Sequence, residues 1–569
     1  MCGAFSKAVC NLDKKFKMEI KKVLKGTDLI SLIIDGWTDV TNRKYLGVLA
    51  SFVPNLKTLK EIPRDRVEQL TKNNNGELQC KLFLGLMPLD NKSENAKNLA
   101  MWVTQISKEY EISSRVFMII SDKASANVKM IRLLGEQLKP ISPLLRRTNE
   151  LFHINCLAHL ENRIMVKLSK AIDASNIRWT TRITELSVFI HCNPNLRFAW
   201  KDFFGFILPK KNSTRWFSEF RLYYYFMRAS SKLREFVDTN LDDISKSGRL
   251  TLFQYTEEEM EQILFFLYLL APFNHLFMQF QKHSENSAIF GSYYYYLIKT
   301  ILKDVEFMVI SGRLCGNFGT ALKLNKRFRD VTYLNENQKE IIRCFIPAKE
   351  HFTLNYEDQQ EFSINYITDV LCPFSKFAFL QSVTSFDRKR RTFERVIEYF
   401  SNYLKDPEPP LKFNICHLQH VQNNSHNGVL DIFGVQNLLS LKDHLNEFEI
   451  YMLEPKLNDV PDTLEEAMEK TYNYWIDKRV SLPYLSNLAL TLLYTKCSSV
   501  DIERTFSICK KIIKDRENMR PEAFQASIRI RLALNEFGLR KQGDILDDFR
   551  PLLYDCVVGD LDDGRDSEE

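Results

Sequence analysis

Apolar positions recur along the chain with different periods in different stretches. Leu12, Phe16, Ile20, Val23 and Leu24 recur at helical spacing, which predicts an amphipathic helix over the basic N-terminus. Three compact apolar runs follow and read as strands: LISLIID (29–35), YLGVLASFV (45–53) and KLFLGLMPL (81–89). The polar segment GWTDVTNRK separates the first two, as in a hairpin. SENAKNLAMWVTQISKEY (93–110) returns to helical period, with Ser93 as its capping residue and no capping-box glutamate. RVFMIISD (115–122) predicts a fourth strand, SANVKMIRLLGEQL a helix, and LFHINCLAH (151–159) a fifth strand leading into another helix. Strands in a meander, then helices alternating with strands, predict an α/β unit with a mixed sheet.

From about residue 185 to 480 the pattern changes to long aromatic-rich helical segments without strand alternation or a fixed repeat. This predicts a large helical domain, with KDPEPPLKFN (405–414) as a loop inside it. Further on, Ile502, Phe506, Cys509 and Ile513 form one apolar stripe on a helix that Ser498 or Ser499 caps. Glu503 lies about 100° round from that stripe, and Ser507, Lys510 and Lys514 share its face. The final segment, GDLDDGRDSEE, predicts an acidic disordered tail.

Composition narrows this picture. A chain of 569 residues exceeds one simple core and predicts two or three domains. Only 19 Gly and 18 Pro favour long helices over a turn-rich all-β architecture. The net charge of +6 is small, but three basic clusters stand out. Lys14, Lys15, Lys17, Lys21, Lys22 and Lys25 crowd the start; Arg388, Lys389, Arg390 and Arg391 form a run; Lys510, Lys511, Lys514, Arg516 and Arg520 line a late segment. Each alone fits a solvated helix face; together they point to a nucleic-acid partner. The 12 Cys are scattered without a CxxC pair, which argues for reduced thiols inside a cell. Lysines break the apolar positions of the opening segment, so it does not read as a signal peptide. ILFFLYLLAPF (263–273) is too short to span a bilayer and contains Pro272. The expectation is a soluble nuclear protein.

Two acids are the candidate chemistry. Asp35 and Asp122 each end an apolar run, and ligands bind at strand ends in α/β sheets. Side by side, two carboxylates resist joint ionisation unless a cation bridges them. Hard oxygen donors favour Mg²⁺ or Mn²⁺, and two such ions about 4 Å apart support phosphoryl transfer. The alternative is plain: an Asp after a strand is commonly a turn former, and Asp122 could cap the helix that follows.

Several segments, in order, resemble hAT-superfamily transposases. DGWTD carries the first catalytic motif, IISDKASAN the second, and CLAHLENR the Cys-x-x-His motif at Cys156 and His159. TRWFSEF (214–220) matches the Arg-Trp motif, and SSVDIERTFSICKKIIKDRENMRPE the block with the third acid, Glu503. The resemblance spans roughly residues 28 to 535. It implies an α/β RNase H-like core, a mixed five-stranded sheet with helices, interrupted by a large all-α insertion domain. It also implies Asp35, Asp122 and Glu503 as an Asp-Asp-Glu set of catalytic metal ligands for Mg²⁺ or Mn²⁺. By analogy, Trp216 stacks on a flipped base with Arg215 near phosphate, and His159 lies near the active site as a phosphate or acid partner. Lys510, Lys514, Arg388 and Arg390 are further candidates for contact with DNA. No second Cys or His pair stands at zinc-site spacing from Cys156 and His159.

The implied division is a basic amphipathic helix at 1–28, first core part at 29–185, helical insertion at 186–480, core completion and dimerisation region at 481–540, and acidic tail at 541–569. Partners implied are DNA at transposon ends and a second copy, through RPEAFQASIRIRLALNEFG with Phe524, Ile528, Ile530, Leu532 and Leu534. No membrane partner is expected. Three features depart from the family. The zinc-binding BED finger common in the family is not in this chain, Lys123 stands where an amide commonly follows the second Asp, and in LCPFSK (371–376) Cys372 replaces an acid. Three functions follow: a transposase cutting and joining DNA, a domesticated, non-catalytic DNA-binding or dimerising regulator, or, third, an RNase H-like nuclease without joining activity.

Overall fold

A computed structural model describes residues 2–25, 27, 29–39, 42–52, 81–89, 95–138, 151–211, 218–281, 287–314, 333–354, 364–376, 380, 386–404, 447–457, 464–515 and 521–536. The chain forms two compact units. The first comprises Met1–Leu157, Lys282–Tyr293 and Phe362–Glu569; the second comprises Ala158–Gln281 and Tyr294–Glu361.

The first unit opens with helix α1 (Cys2–Lys25) and strands β1 (Ile30–Thr38), β2 (Lys44–Phe52) and β3 (Lys81–Pro88). Helix α2 (Ala96–Glu109), β4 (Val116–Ser121), α3 (Ser125–Gln137) and β5 (Phe152–Asn155) follow. The five strands form one mixed sheet in the order β3-β2-β1-β4-β5. β1 and β2 pair antiparallel, as do β2 and β3, while β4 lies parallel to both β1 and β5. The expected mixed sheet is therefore present. β1 runs further than the apolar run suggested, because the antiparallel ladder continues past Asp35↔Gly47 to Trp37↔Tyr45 and Thr38↔Lys44. β5 is shorter than expected, since a helix begins directly after Cys156. The cap of α2 is Asn95, whose Oδ1 accepts from Asn98 N at 2.9 Å; Ser93 lies outside the described residues.

Strand alternation assigns the two sheet faces. Leu32, Ile34, Leu46, Val48 and Ala50 join Leu12, Ile20 and Leu24 of α1, Leu99 and Val103 of α2, and Met130 and Leu134 of α3 in one buried core. Leu12, Ile20 and Leu24 of the stripe that predicted α1 thus pack into the sheet's own core, with Val23 against it, and the side chain of Phe16 lies outside the described residues. Two lysines of α1 pair with acids at and beyond the end of α2: Lys17 with Glu109 at 2.5 Å and Lys21 with Glu111 at 3.2 Å.

The second unit is helical: α4 (Leu157–Asp173, from Ala158 onward), α5 (Trp179–Cys192), α6 (Pro194–Phe204), α7 (Ser218–Ser230), α8 (Leu233–Thr239) and α9 (Leu241–Lys246). It continues with α10 (Glu257–Gln281), α11 (Gly291–Ser311, from Tyr294 onward), α12 (Glu336–Arg343) and α13 (Ile346–Phe352). Aromatic rings fill it, as the sequence implied. Trp179 meets Tyr223 and Phe266 edge-on, and Trp200 packs on Phe204 and Phe236. Glu257–Met278 of α10 is long and apolar enough to cross a membrane by length and composition. Of its most apolar window 67% is buried, and Ile263, Phe266, Leu269 and Phe273 lie fully inside, which is how a core helix behaves.

The chain then returns to the first unit with α14 (Ile364–Leu371), α15 (Phe386–Tyr403), α16 (Glu447–Leu453), α17 (Leu464–Asp477), α18 (Pro483–Tyr494), α19 (Val500–Asp515) and α20 (Pro521–Glu536). The Glu447 carboxylate accepts from the amides of Tyr484 and Leu485 and so caps α18. In the LCPFSK segment, Lys376 is buried, donates to the carbonyls of Tyr451 (3.0 Å) and Glu454 (2.6 Å), and sits 4.1 Å from the Tyr451 ring centroid. Burial lowers its pKa to about 7, against the raising pull of Glu454.

α20 closes the unit against α1 and β3. Arg529, 2% exposed, bonds both carboxylate oxygens of Asp13 and donates to Leu84 O at 3.1 Å. Phe524, Ile528 and Ile530, which the sequence offered for self-association, are buried within this single chain. Removing one partner of a buried ion pair strands the other charge, so Arg529→Ala is expected to destabilise the fold by about 3–5 kcal/mol. Urea or thermal unfolding measures this, and the double variant Asp13→Leu/Arg529→Met is expected to recover most of the loss.

Candidate metal centre

The other sheet face carries the acids. Ser31, Ile33, Asp35 and Trp37 alternate onto it from β1, opposite Ser51, Leu49, Gly47 and Tyr45 of β2. The end of α18 and the start of α19 are fixed here. Ser31 Oγ lies 3.2 Å from Thr495 Oγ1, and Ser51 Oγ donates to Tyr494 O at 3.3 Å. The α19 stripe behaves as predicted: Ile502, Phe506 and Cys509 are buried, and the side chain of Ile513 lies outside the described residues. Phe506 stacks on Trp37 at 5.6 Å, and Trp37 stacks on Tyr45 at 5.4 Å. Trp37 is thus a packing residue within β1.

Gly47 makes this approach possible. A Cβ there would stand 2.7 Å from both Ile502 Cδ1 and Phe506 Cε1. Gly47 is also the direct ladder partner of Asp35. Helix α19 therefore settles on the sheet at the one cross-strand position where Asp35 stands. Glu503, next to Ile502, comes with it: a ligand oxygen of Asp35 and one of Glu503 lie within 4.8 Å of each other. Both side chains are partly exposed.

Asp122 enters from the neighbouring strand. The last β1–β4 pair is Ile33↔Ile120, so Asp35 and Asp122 each stand two residues beyond it on adjacent, parallel chains. Asp122 Oδ1 accepts from Ala124 N at 3.0 Å and from Asn127 Nδ2 at 2.6 Å. The turn-forming role considered from sequence is therefore real, and it leaves Oδ2 out of those two bonds. Behind Asp122, Ser121 Oγ donates to Asp122 O at 3.0 Å and lies 3.0 Å from His153 Nε2. Burial lowers the His153 pKa to about 4, outweighing the raising effect of Asp122.

The donor set is oxygen-rich and partly exposed, which fits a hard divalent cation such as Mg²⁺ or Mn²⁺. Lys510 is exposed, with Glu503 one to two turns before it on α19; the side chain of Lys514 is outside the described residues. His159 lies in the first turn of α4. Arg215 and Trp216 lie outside the described residues, as does the side chain of Arg388. Arg390 is exposed and pairs with Glu394 at 3.4 Å. Cys156 is buried at the β5–α4 junction, where its sulfur accepts from Ser499. Gly47 and Asn127 escaped the sequence reading, though each left a trace: a lone glycine inside a strand marks close approach, and an amide followed the second acid.

Comparison with known proteins adds to this geometry. Residues 447–533 match the hAT family C-terminal dimerisation region. The chain carries that region of the hAT family. The hAT region spans α16 to α20 up to residue 533, so it contributes Glu503 as well as the helices packed on the sheet. By its description it supports homo-oligomerisation. A curated protein of Talaromyces stipitatus, named "Putative transcriptional regulator tpeD", is 23% identical over 296 residues. The match covers 46% of this chain and 30% of that protein, so the chain spans less than a third of this relative's length.

Gly47→Ala forces Ile502 and Phe506 aside and is expected to cost about 1–3 kcal/mol, read by thermal melts. His153 is neutral in the fold, so the unfolded chain binds the extra proton first. Stability is present above about pH 6.5 and is lost as pH falls toward about 4, by up to about 3 kcal/mol. Melts across that window should show a shallower slope for His153→Gln.

Proposed function

We propose that the chain is the RNase H-like core of a hAT-type DNA transposase or a protein derived from one. The sheet order, with an antiparallel meander joined to two parallel strands, supports the RNase H-like reading. The observation that carries the function is the meeting of Asp35 and Glu503 within 4.8 Å, with Asp122, like Asp35, two residues past the last β1–β4 pair. Asp35, Asp122 and Glu503 would hold Mg²⁺ or Mn²⁺. When bound, the metal supplies charge neutralisation at the scissile phosphate and a more acidic attacking water or 3′-hydroxyl.

The chain's own residues do the rest. Asn127 and the Ala124 amide orient the Asp122 carboxylate, and the Trp37–Phe506 stack keeps the Glu503 helix on the sheet. Lys510 offers charge toward a DNA backbone from the same helix as Glu503, and Lys514, Arg388 and Arg390 extend that role. Arg215 with Trp216 would grip a phosphate and a flipped base, and His159 would act beside the acids as a phosphate partner. A protein with this work acts in the nucleus as a homo-oligomer on transposon-end DNA.

One observation favours a second reading. The curated relative is named for transcriptional regulation, and the Asp-Asp-Glu set alone does not distinguish a working site from an inherited one. A domesticated regulator would bind DNA or a partner copy without cutting. Incubation of the purified protein with Mn²⁺ and terminal-inverted-repeat DNA separates the two. The expected outcome is nicking and strand joining, lowered more than about 10³-fold by Asp35→Asn, Asp122→Asn or Glu503→Gln. DNA binding without cleavage, unchanged by these substitutions, would establish the regulator instead.

A further inference from the structure

We infer that Cys156 is a positioning residue that ties the Asp122 strand end to the Glu503 helix through its backbone amide and its sulfur. This rests on the metal-site reading above and concerns how the acids are held. The backbone amide of Cys156 donates to Ser121 O at 2.8 Å, and Ser121 directly precedes Asp122. Its sulfur accepts from Ser499 N at 3.1 Å and from Ser499 Oγ at 3.3 Å. Ser499 O in turn accepts from Glu503 N at 3.3 Å and from Ile502 N at 3.0 Å. One residue thus links the backbone beside Asp122 to the backbone of Glu503 itself. The next bond reinforces it, since Leu157 N donates to Cys497 O at 3.1 Å.

The chemistry of the position explains why a thiol suits it. Cys156, Ser498 and Ser499 are all buried, so the Ser499 amide and hydroxyl have no water to turn to. Orphan amides at a helix start need an acceptor, and here it comes from Cys156, just past the end of β5. Sulfur accepts weakly but at long reach, which lets one atom serve two donors at 3.1 and 3.3 Å. This assigns the Cys of the Cys-x-x-His segment a hydrogen-bonding role in place of a metal-ligand role. Second-layer contacts of this kind alter metal affinity by roughly 10–100-fold when removed.

The test compares Cys156→Ala with Cys156→Ser in the full chain. Ser retains an acceptor; Ala removes the sulfur that the Ser499 amide and hydroxyl meet. Manganese affinity is read by calorimetry, and amide hydrogen exchange is followed at Ser499, Ile502 and Glu503. Cys156→Ala is expected to weaken Mn²⁺ binding roughly 10–100-fold and to speed exchange at those amides, while exchange in β1 and β2 stays as in the wild type. Cys156→Ser should recover most of both. If Cys156→Ala binds Mn²⁺ as the wild type does, or exchanges faster everywhere in proportion to lost stability, the positioning role is overturned while the metal site stands. If the wild type binds no Mn²⁺ and Asp35→Asn changes nothing, the metal-site reading falls and takes this inference with it.

Discussion

The seating of α19 on the β1–β2 ladder is the contact on which the first unit depends. It requires a glycine in the middle of a buried strand, because Ile502 and Phe506 occupy the space a Cβ at Gly47 would claim. A glycine inside a strand weakens it, and here the weakness is offset by burying an isoleucine and an aromatic stack against the sheet. The same approach decides where Glu503 falls. A helix seated further out would still bury its stripe, but its carboxylate would not meet Asp35.

Chain topology gives this contact its consequence. The strands that carry Asp35 and Asp122 lie next to each other, while the helix that carries Glu503 arrives after the whole second unit has been traversed. Distant segments are fastened at several points on one face: Ser31 to Thr495, Ser51 to Tyr494, and Cys156 to Ser499. On the far side, α1 and α20 are held by Asp13 and Arg529. The first unit is therefore assembled from chain ends and middle together, and long-range closure of this kind is slow to form. The region described for dimerisation lies within this assembly, so its buried helices serve the unit before they serve a second copy.

The site also shows how local and long-range forces divide the work. Asp122 is shaped locally, by the Ala124 amide and Asn127 within one turn. Asp35 is shaped by the sheet, since the β1 ladder continues past it on one side and stops before it on the other. Glu503 is placed from afar, by the packing of α19 on the sheet and by the tie of Ser499 to Cys156. Three carboxylates of one proposed function thus come from three different kinds of constraint.

What the sequence determined by itself is what period and local chemistry control. Apolar runs specified five strands, the 3.6-residue period specified the α19 stripe of Ile502, Phe506 and Cys509, and the strand-end acids could be named before any fold was known. Phe524, Ile528 and Ile530 were legible as an apolar helix, but not that their partners are α1 and the sheet of the same chain. That β1 would extend beyond Asp35 was hidden, because strand length depends on a partner strand, not on the run's own residues. Only the tertiary structure decided that Glu503 meets Asp35, that Gly47 clears the way, and that Cys156 reaches Ser499. Each of these joins residues far apart in the chain, and local pattern holds no information about distance across a fold.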